Sequence, residues 1–556
     1  MAQKALRQIL ANRKLYYLIA LLLVLALQPS IFINVDNLTL WSVYKFYFDL
    51  GLTPYQVFKL YPKFFVMKIG GANIYMWFAY PPLAFYWLIA FAYPYVIFHV
   101  RNLYLQIFLA RLHEIVAYFL LALLVYFFVK RFDKDEEKAK RAEKLVLFCP
   151  LILLVAGVQA LFDVCATLLL LVALYLLLYK KRADYAGVAA AAAFLTKQYV
   201  LFVLPALIIY VIKNMGTKEL FKFLCFFLST CCLVLYPLIN QLPQVIETAF
   251  LYHLERPAQV INLPVLLYLP LLVDKLLGLH LLSLSEIAKL QEIVSLLLIG
   301  IFMIPMILLL LVKKRQFTDF EVLYYCAIFF AVFLLFYKVV NPQHYVLEYV
   351  LLVLLYFRSG NRNFLRTAKY LALLGTAAML AFIVLGADIF VNYRHALSSA
   401  AYRQVVQEFV HFLASFSINN IYVITILGIL IIVLLWLVKN SYLPLLELVI
   451  SGVRLRLEVD KKTKLLVRSL LACYACGVLL LSLLYSFSTK FIYKKVFCKL
   501  KSTKNLSFIK LIYAKNSWEK SAQLKAKVKQ YYMHHFRLYV CLSSGEYYIN
   551  RSVCRQ

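Results

Sequence analysis

Asp36 stands a few residues after the first long apolar run of this chain, and Asp163, Lys197 and His344 each stand where two later apolar runs meet. A carboxylate can take a proton from an attacking hydroxyl, and a lysine or arginine can meet the charge that develops on a departing phosphate. Held at one membrane surface, such residues suit the transfer of a group from a lipid-borne phosphate. Asp36 is then the candidate base, and Lys197 and Arg256, with Arg394 behind them, are the candidate cations. A lone aspartate after a span is more often a cap, and a lone lysine at a helix end is often a snorkelling side chain. The weight therefore rests on four polar groups falling at one face in separate helical hairpins, where isolated charges are costly.

Asp49 lies thirteen residues beyond Asp36, with Tyr44, Phe46, Tyr47 and Phe48 between them, a pattern that predicts an amphipathic helix at headgroup level. Aromatic stripes of this kind are more often interfacial anchors than sugar platforms. The sequence has no P-loop, no Gly-rich dinucleotide turn and no HExxH motif, which argues against soluble-nucleotide and metalloprotease chemistry. Cys473-x-x-Cys476 has ligand spacing but lies in an apolar run without a second pair, and His534, His535, Cys541 and Cys554 are an equally weak signal. No metal site is expected from these residues, and no cofactor is required, although the sequence leaves a divalent metal open.

These residues must be positioned by membrane helices. The chain is 64% hydrophobic and 16% aromatic, with a mean hydropathy of +0.81, which excludes a water-soluble globular protein. Its net charge of +33 comes in short basic clusters between apolar runs. That is the pattern of cytoplasmic loops, so a nucleic-acid partner is not expected, and the clusters face anionic lipid instead. The run 15–32 is read as the first span, its N-terminal side cytoplasmic. Pro81 and Pro82 open a juxtamembrane or re-entrant helix over 83–100, and 105–129 is the second span. Further spans follow at 145–162, 164–179, 185–195, 200–212, 223–239, 287–312, 320–340, 345–357, 370–390 and 421–438. A second polar loop, 240–262, holds His253, Glu255 and Arg256. The fold class expected is an all-α polytopic membrane protein of about eleven to thirteen spans, its first extracytoplasmic loop, 34–104, carrying juxtamembrane helices.

Several short motifs fall in order along this frame: Asp36, then Gly51-Leu52-Thr53-Pro54-Tyr55, then Phe78-Ala79-Tyr80-Pro81-Pro82-Leu83. Gln159 and Asp163 open a span, Leu195-Thr196-Lys197-Gln198 precedes Pro205, and Asn341-Pro342-Gln343-His344-Tyr345 comes late. In these residues the chain resembles the GT-C superfamily of polytopic glycosyltransferases, most nearly the glycosyltransferase family 87 type of polyprenyl-phosphate-mannose-dependent mannosyltransferase. The likeness covers about residues 10 to 440. It implies an inverting transfer of mannose or a similar hexose, from a polyprenyl-phosphate donor to a lipid-linked or glycan acceptor hydroxyl, on the extracytoplasmic side of a cell membrane. Asp36 would be the general base, Lys197 and Arg256 would meet the donor phosphate, and Asp49, Tyr80, Asp163, His344 and Tyr345 would line the substrate site. No second acid adjoins Asp36, and Gly157 is separated from Gln159.

Two other classes stay open. A transporter or lipid flippase also buries charges among helices, but it calls for an internal repeat and broken helices near the midplane, and no repeat is evident. A non-catalytic subunit of a glycosylation complex would make Asp36 dispensable. Beyond residue 440 the composition changes, to a basic segment with one more apolar run at 465–487 and a tail from 488 rich in Lys, Tyr and Ser. If that run spans, the tail is extracytoplasmic; if it lies flat, the tail is cytoplasmic.

Overall fold

The apolar runs fold as helices because, away from water, each backbone N–H and C=O must find its partner inside the chain, and a helix supplies one residue by residue. The computed structural model describes residues 12–27, 35–60, 66–69, 72–75, 78–255, 284–312, 316–337 and 339–385, with isolated positions between 444 and 450. Nearly all of them belong to one unit, drawn from Met1–Tyr268 and Ala288–Gly452. The second, Leu269–Ile287 with Val453–Gln556, contributes only the first turn of one helix to them. The expected spans at 421–438 and 465–487, the tail, Arg256 and Arg394 lie outside the described residues.

The chain opens with α1 (Arg13–Ala26), α2 (Val35–Leu50) and α3 (Pro54–Leu60), followed by a two-stranded hairpin of β1 (Val66–Ile69) and β2 (Ala72–Tyr75). The strands are antiparallel with Val66 opposite Tyr75, and Gly70-Gly71 between them is the residue pair that tight hairpin turns favour. This hairpin holds the only strands among the described residues. Next come α4 (Pro82–Ala92), opened by proline as expected, the short α5 (Pro94–Ile97) and the long α6 (Leu103–Asp133). Asn102 caps α6 by accepting from the Leu105 N–H at 3.0 Å. The seven basic residues from 130 to 144 do not form a loop: most extend α6 or enter α7 (Glu136–Leu147), capped by Asp135. The expected span at 145–162 is broken. Helix α8 (Pro150–Leu154) lies at 49° to α7, because Pro150 has no N–H to continue the ladder.

Helix α8 runs into a π turn, Val155–Gln159, and α9 (Asp163–Tyr175) runs into a second, Leu176–Lys180. A left-handed residue closes each one: Ala160 N–H returns to Val155 O at 2.7 Å, and Lys181 N–H returns to Leu176 O. Helix α10 (Ala183–Thr196) and α11 (Leu204–Asn214) are short, and α12 (Thr217–Leu235) is long. The polar stretch expected as a loop from 240 stays helical to Glu255, through the 3-10 turn Tyr236–Gln241, α13 (Leu242–Ile246), the π turn Glu247–Leu251 and α14 (Tyr252–Glu255). Pro237 and Pro243 sit in the first turn of the 3-10 piece and of α13, the helical position that tolerates a missing N–H best. The rest is α15 (Leu284–Val312), α16 (Asp319–Phe336), the turn Pro342–His344, α17 (Tyr345–Ser359) and α18 (Arg362–Leu385), which begins within the expected basic loop.

Among the described residues, four helices are long and apolar enough to cross a membrane: Tyr104–Asp133, Asp163–Lys180, Thr217–Leu251 and Asp319–Phe336. The bent α7–α8 pair would make five. Shorter apolar helices, Pro82–Ile97, Ala183–Thr196, Leu204–Asn214 and Leu297–Leu308, lie at positions where further spans or a juxtamembrane helix are expected. These helices make the chain a membrane protein. Only 11% of the apolar window in Thr217–Leu251 is buried, so side chains such as Phe221, Leu228 and Leu233 face outward, as lipid contact requires.

Helix α10 meets the backbone of α12 at a glycine. A Cβ built on Gly187 would lie 2.3 Å from the carbonyl oxygen of Phe223, so the backbones touch where glycine leaves room. Gly187→Ala gains about 1 kcal/mol in helix propensity, but α12 must move. We expect a net loss of about 1–3 kcal/mol, read as a lower unfolding midpoint of the purified protein in detergent. Gly300→Ala, whose nearest new neighbour is Ile304 Cδ1 at 3.8 Å, should not lower it.

Candidate functional site

Four segments between helices converge at one place. The first is Phe78–Tyr80, just before α4. Tyr55 donates its hydroxyl to Tyr80 O at 2.8 Å, the His253 ring sits 2.8 Å from Ala79 O, and Tyr337 donates to His253 O at 3.1 Å. Burial pushes the Tyr55 phenol well above its usual range, so it stays a donor. The turn at Gly51, whose φ of +67° suits glycine, brings Thr53 onto Gln241. The polar segment from 240 therefore supports Tyr80 from outside.

The second segment is Ala160–Asp163, which leaves the first π turn with Ala160 and Phe162 both left-handed and enters α9 at Asp163. Glu114, buried in α6, caps α9 by accepting from the N–H groups of Val164 at 2.7 Å and Cys165 at 3.0 Å. The third is the break after α10, where Lys197 is extended and Gln198 opens the 3-10 turn that carries Tyr199. The fourth is Asn341–Tyr345, in which His344 Nδ1 accepts from the Asn341 N–H at 3.2 Å.

At the centre Lys197 Nζ donates to Asp163 Oδ2 at 2.9 Å and to Leu161 O at 2.7 Å. Asp163 is fully buried and Lys197 only 5% exposed. The ammonium lies 4.7 Å from the centre of the Tyr80 ring, which packs edge-on against Phe162. Tyr199 links the group to His344: its hydroxyl reaches toward Asp163 O at 3.5 Å and its ring meets the imidazole at 5.0 Å. Thus Tyr80, Asp163, Lys197 and His344 come together, with Tyr345 buried next to His344. Asp163 Oδ1 is buried without a hydrogen-bond partner among the described residues, and so is Gln198 Oε1.

Asp36 is the second residue of α2, and its side chain lies outside the described residues. Its neighbour Asn37 fixes the start of α2 against the first π turn. The Asn37 amide donates to Val158 O and Gln159 O, each at 3.0 Å, and its Oδ1 accepts from Arg111 Nε at 2.5 Å. Arg111 Nη1 donates to Leu27 O at 3.0 Å and Gly157 O at 2.9 Å. A π turn leaves carbonyls without helical partners, and these two side chains satisfy three in succession. The start of α2 is thereby docked on the segment that leads directly to Asp163. Asp49 is elsewhere: thirteen residues along a helix put it about 20 Å from Asp36, where it pairs with Lys45 at 2.6 Å and accepts from Tyr95 at 3.0 Å.

Arg111, His113, Glu114 and Asn37 were not among the expected site residues. The signal for the first three was in the sequence, since ionisable residues inside an apolar run such as 105–129 are costly there. No known family model matches the chain, and no curated protein matches it significantly.

Proposed function

We propose that the chain is a GT-C-type membrane glycosyltransferase that moves mannose or a similar hexose from a polyprenyl phosphate to a hydroxyl of a lipid-linked or glycan acceptor, on the extracytoplasmic side. The observation that carries this reading is the buried Asp163–Lys197 pair beneath Tyr80, with Asp163 Oδ1 left unspent. A sugar hydroxyl is a donor of the kind that oxygen lacks, and a tyrosine ring offers an apolar wall for a hexose.

Asp36 takes the proton of the acceptor hydroxyl as its oxygen attacks the anomeric carbon from the side opposite the phosphate. The new carbon–oxygen bond forms as the bond to the phosphate oxygen breaks, inverting the centre, and the electron pair leaves with the lipid phosphate. Lys197 has one N–H beyond the two it gives to Leu161 and Asp163. That donor meets the departing charge, with Arg256 as a second cation. The reaction needs no cofactor from these residues.

The test is transfer of radiolabelled mannose from synthetic polyprenyl-phosphate mannose, in membranes holding wild type or Asp36→Asn at equal abundance. Wild type should transfer label and the variant should lose at least about 100-fold. Equal transfer by both removes Asp36 from the chemistry, and no transfer by wild type overturns the donor assignment.

A further inference from the structure

His113 and Glu114 are successive residues of α6, and Cys165 lies in the first turn of α9. One ligand atom from each, a ring nitrogen, a carboxylate oxygen and the sulfur, lie within 4.8 Å of one another, and all three residues are buried. The packing of the protein accounts for two of them. Glu114 caps α9, and Cys165 Sγ lies 3.6 Å from His113 O, where the thiol donates weakly. The imidazole is different. Both ring nitrogens are buried without a well-formed hydrogen bond among the described residues, the carbonyls of Ala110 and Ala160 being close by. Its face is stacked on Phe162 at 4.4 Å. A ring fixed in orientation, with no well-formed hydrogen bond to either nitrogen and a sulfur and a carboxylate oxygen nearby, is placed to hold something.

We propose that His113, Glu114 and Cys165 form a buried site for a soft divalent cation of the zinc class. Imidazole and thiolate select such ions over magnesium or calcium, which take oxygen ligands. Charge also fits the apolar surroundings: the thiolate and the carboxylate cancel the two positive charges of the ion, and the neutral ring adds none. Binding displaces the thiol proton of Cys165. One ring nitrogen ligates, and the other donates to a carbonyl of Ala110 or Ala160, the usual support for a metal-bound histidine. The remaining place of a tetrahedral shell falls to the second Glu114 oxygen or to water. Because its ligands come from α6 and α9, the ion ties the two helices immediately behind Phe162 and Asp163. Its role is to position that segment, and the assignment does not depend on the transfer reaction.

The full chain, purified in detergent after growth with added zinc, should carry about one equivalent of the metal. Cys165→Ser and His113→Ala should lose it, while Cys149→Ser, whose buried thiol belongs to another contact, should keep it. Cobalt(II) in place of zinc should give the unaltered protein a thiolate-to-cobalt absorption band, absent from Cys165→Ser. Wild type purified free of zinc, or binding cobalt with no thiolate band, overturns the site, and neither result depends on a variant folding. Zinc, or the band, retained in Cys165→Ser overturns it as well.

Discussion

Replacing Arg111 by leucine should destabilise the protein by about 3–5 kcal/mol, lowering its unfolding midpoint in detergent by several degrees. The guanidinium gives one edge to Asn37 and the other to the carbonyls of Leu27 and Gly157, all in the interior. Leucine fills most of the space but takes the guanidinium donor from three acceptors, a loss of about 1–3 kcal/mol for each one left unsatisfied when buried. Arg111→Lys should recover little of the loss. An ammonium is a point donor and cannot reach both edges as the planar fork does. The effect should extend to transfer, because the same contacts dock the start of α2, where Asp36 stands. If Arg111→Leu unfolds at the wild-type temperature, Arg111 does not hold α2 in place.

The Asp163–Lys197 pair should show the largest coupling in the molecule. Removing one partner strands a charge in a dry site, so Asp163→Asn and Lys197→Met should each cost about 3–5 kcal/mol. The double variant strands nothing and should lie within about 1–2 kcal/mol of wild type, far above the sum of the single losses. Transfer of label should be absent from all three. That combination, stability restored while activity is not, separates a working pair from a structural one. A double variant whose loss equals the sum of the two singles would show that the charges do not stabilise each other, and one that still transfers would remove the pair from the reaction.

Much of this centre can be read without coordinates, for a physical reason. Tyr80, Asp163, Lys197 and His344 stand at the ends of apolar runs, where a polar residue is conspicuous and where helices bring their ends together. The helical character of the chain and its relation to a membrane follow from the same runs. What the pattern hides is polar structure inside a helix. Arg111, His113 and Glu114 lie within the span expected at 105–129, whose apolar run masks them. The stretch from 240 to 255 looked like a loop because Asn240, Gln241, Gln244 and Glu247 break the apolar pattern, while the chain keeps its helical bonds through three kinds of turn. The bend at Pro150 turns an expected single crossing into two pieces. The hairpin 66–75 is too short to stand out from its aromatic surroundings. Asp49 is near Asp36 in sequence, but thirteen residues along one helix set the two apart.

The π turn at Val155–Gln159 makes chain length there matter more than side-chain identity. Each residue of a helix advances the chain by about 100° around its axis, and the turn holds one residue more than an α-helical turn would. Deleting any one of the five would restore regular winding and rotate the two sides of the break against each other by that angle. The carbonyls that remain of Gly157, Val158 and Gln159 would then no longer all meet Arg111 and Asn37. Apart from Gly157, where a Cβ would lie 2.9 Å from Leu27 Cδ1, descendants of this sequence can exchange side chains across the stretch one at a time, but an insertion or deletion between Val155 and Gln159 would undo the docking of the start of α2 in a single step.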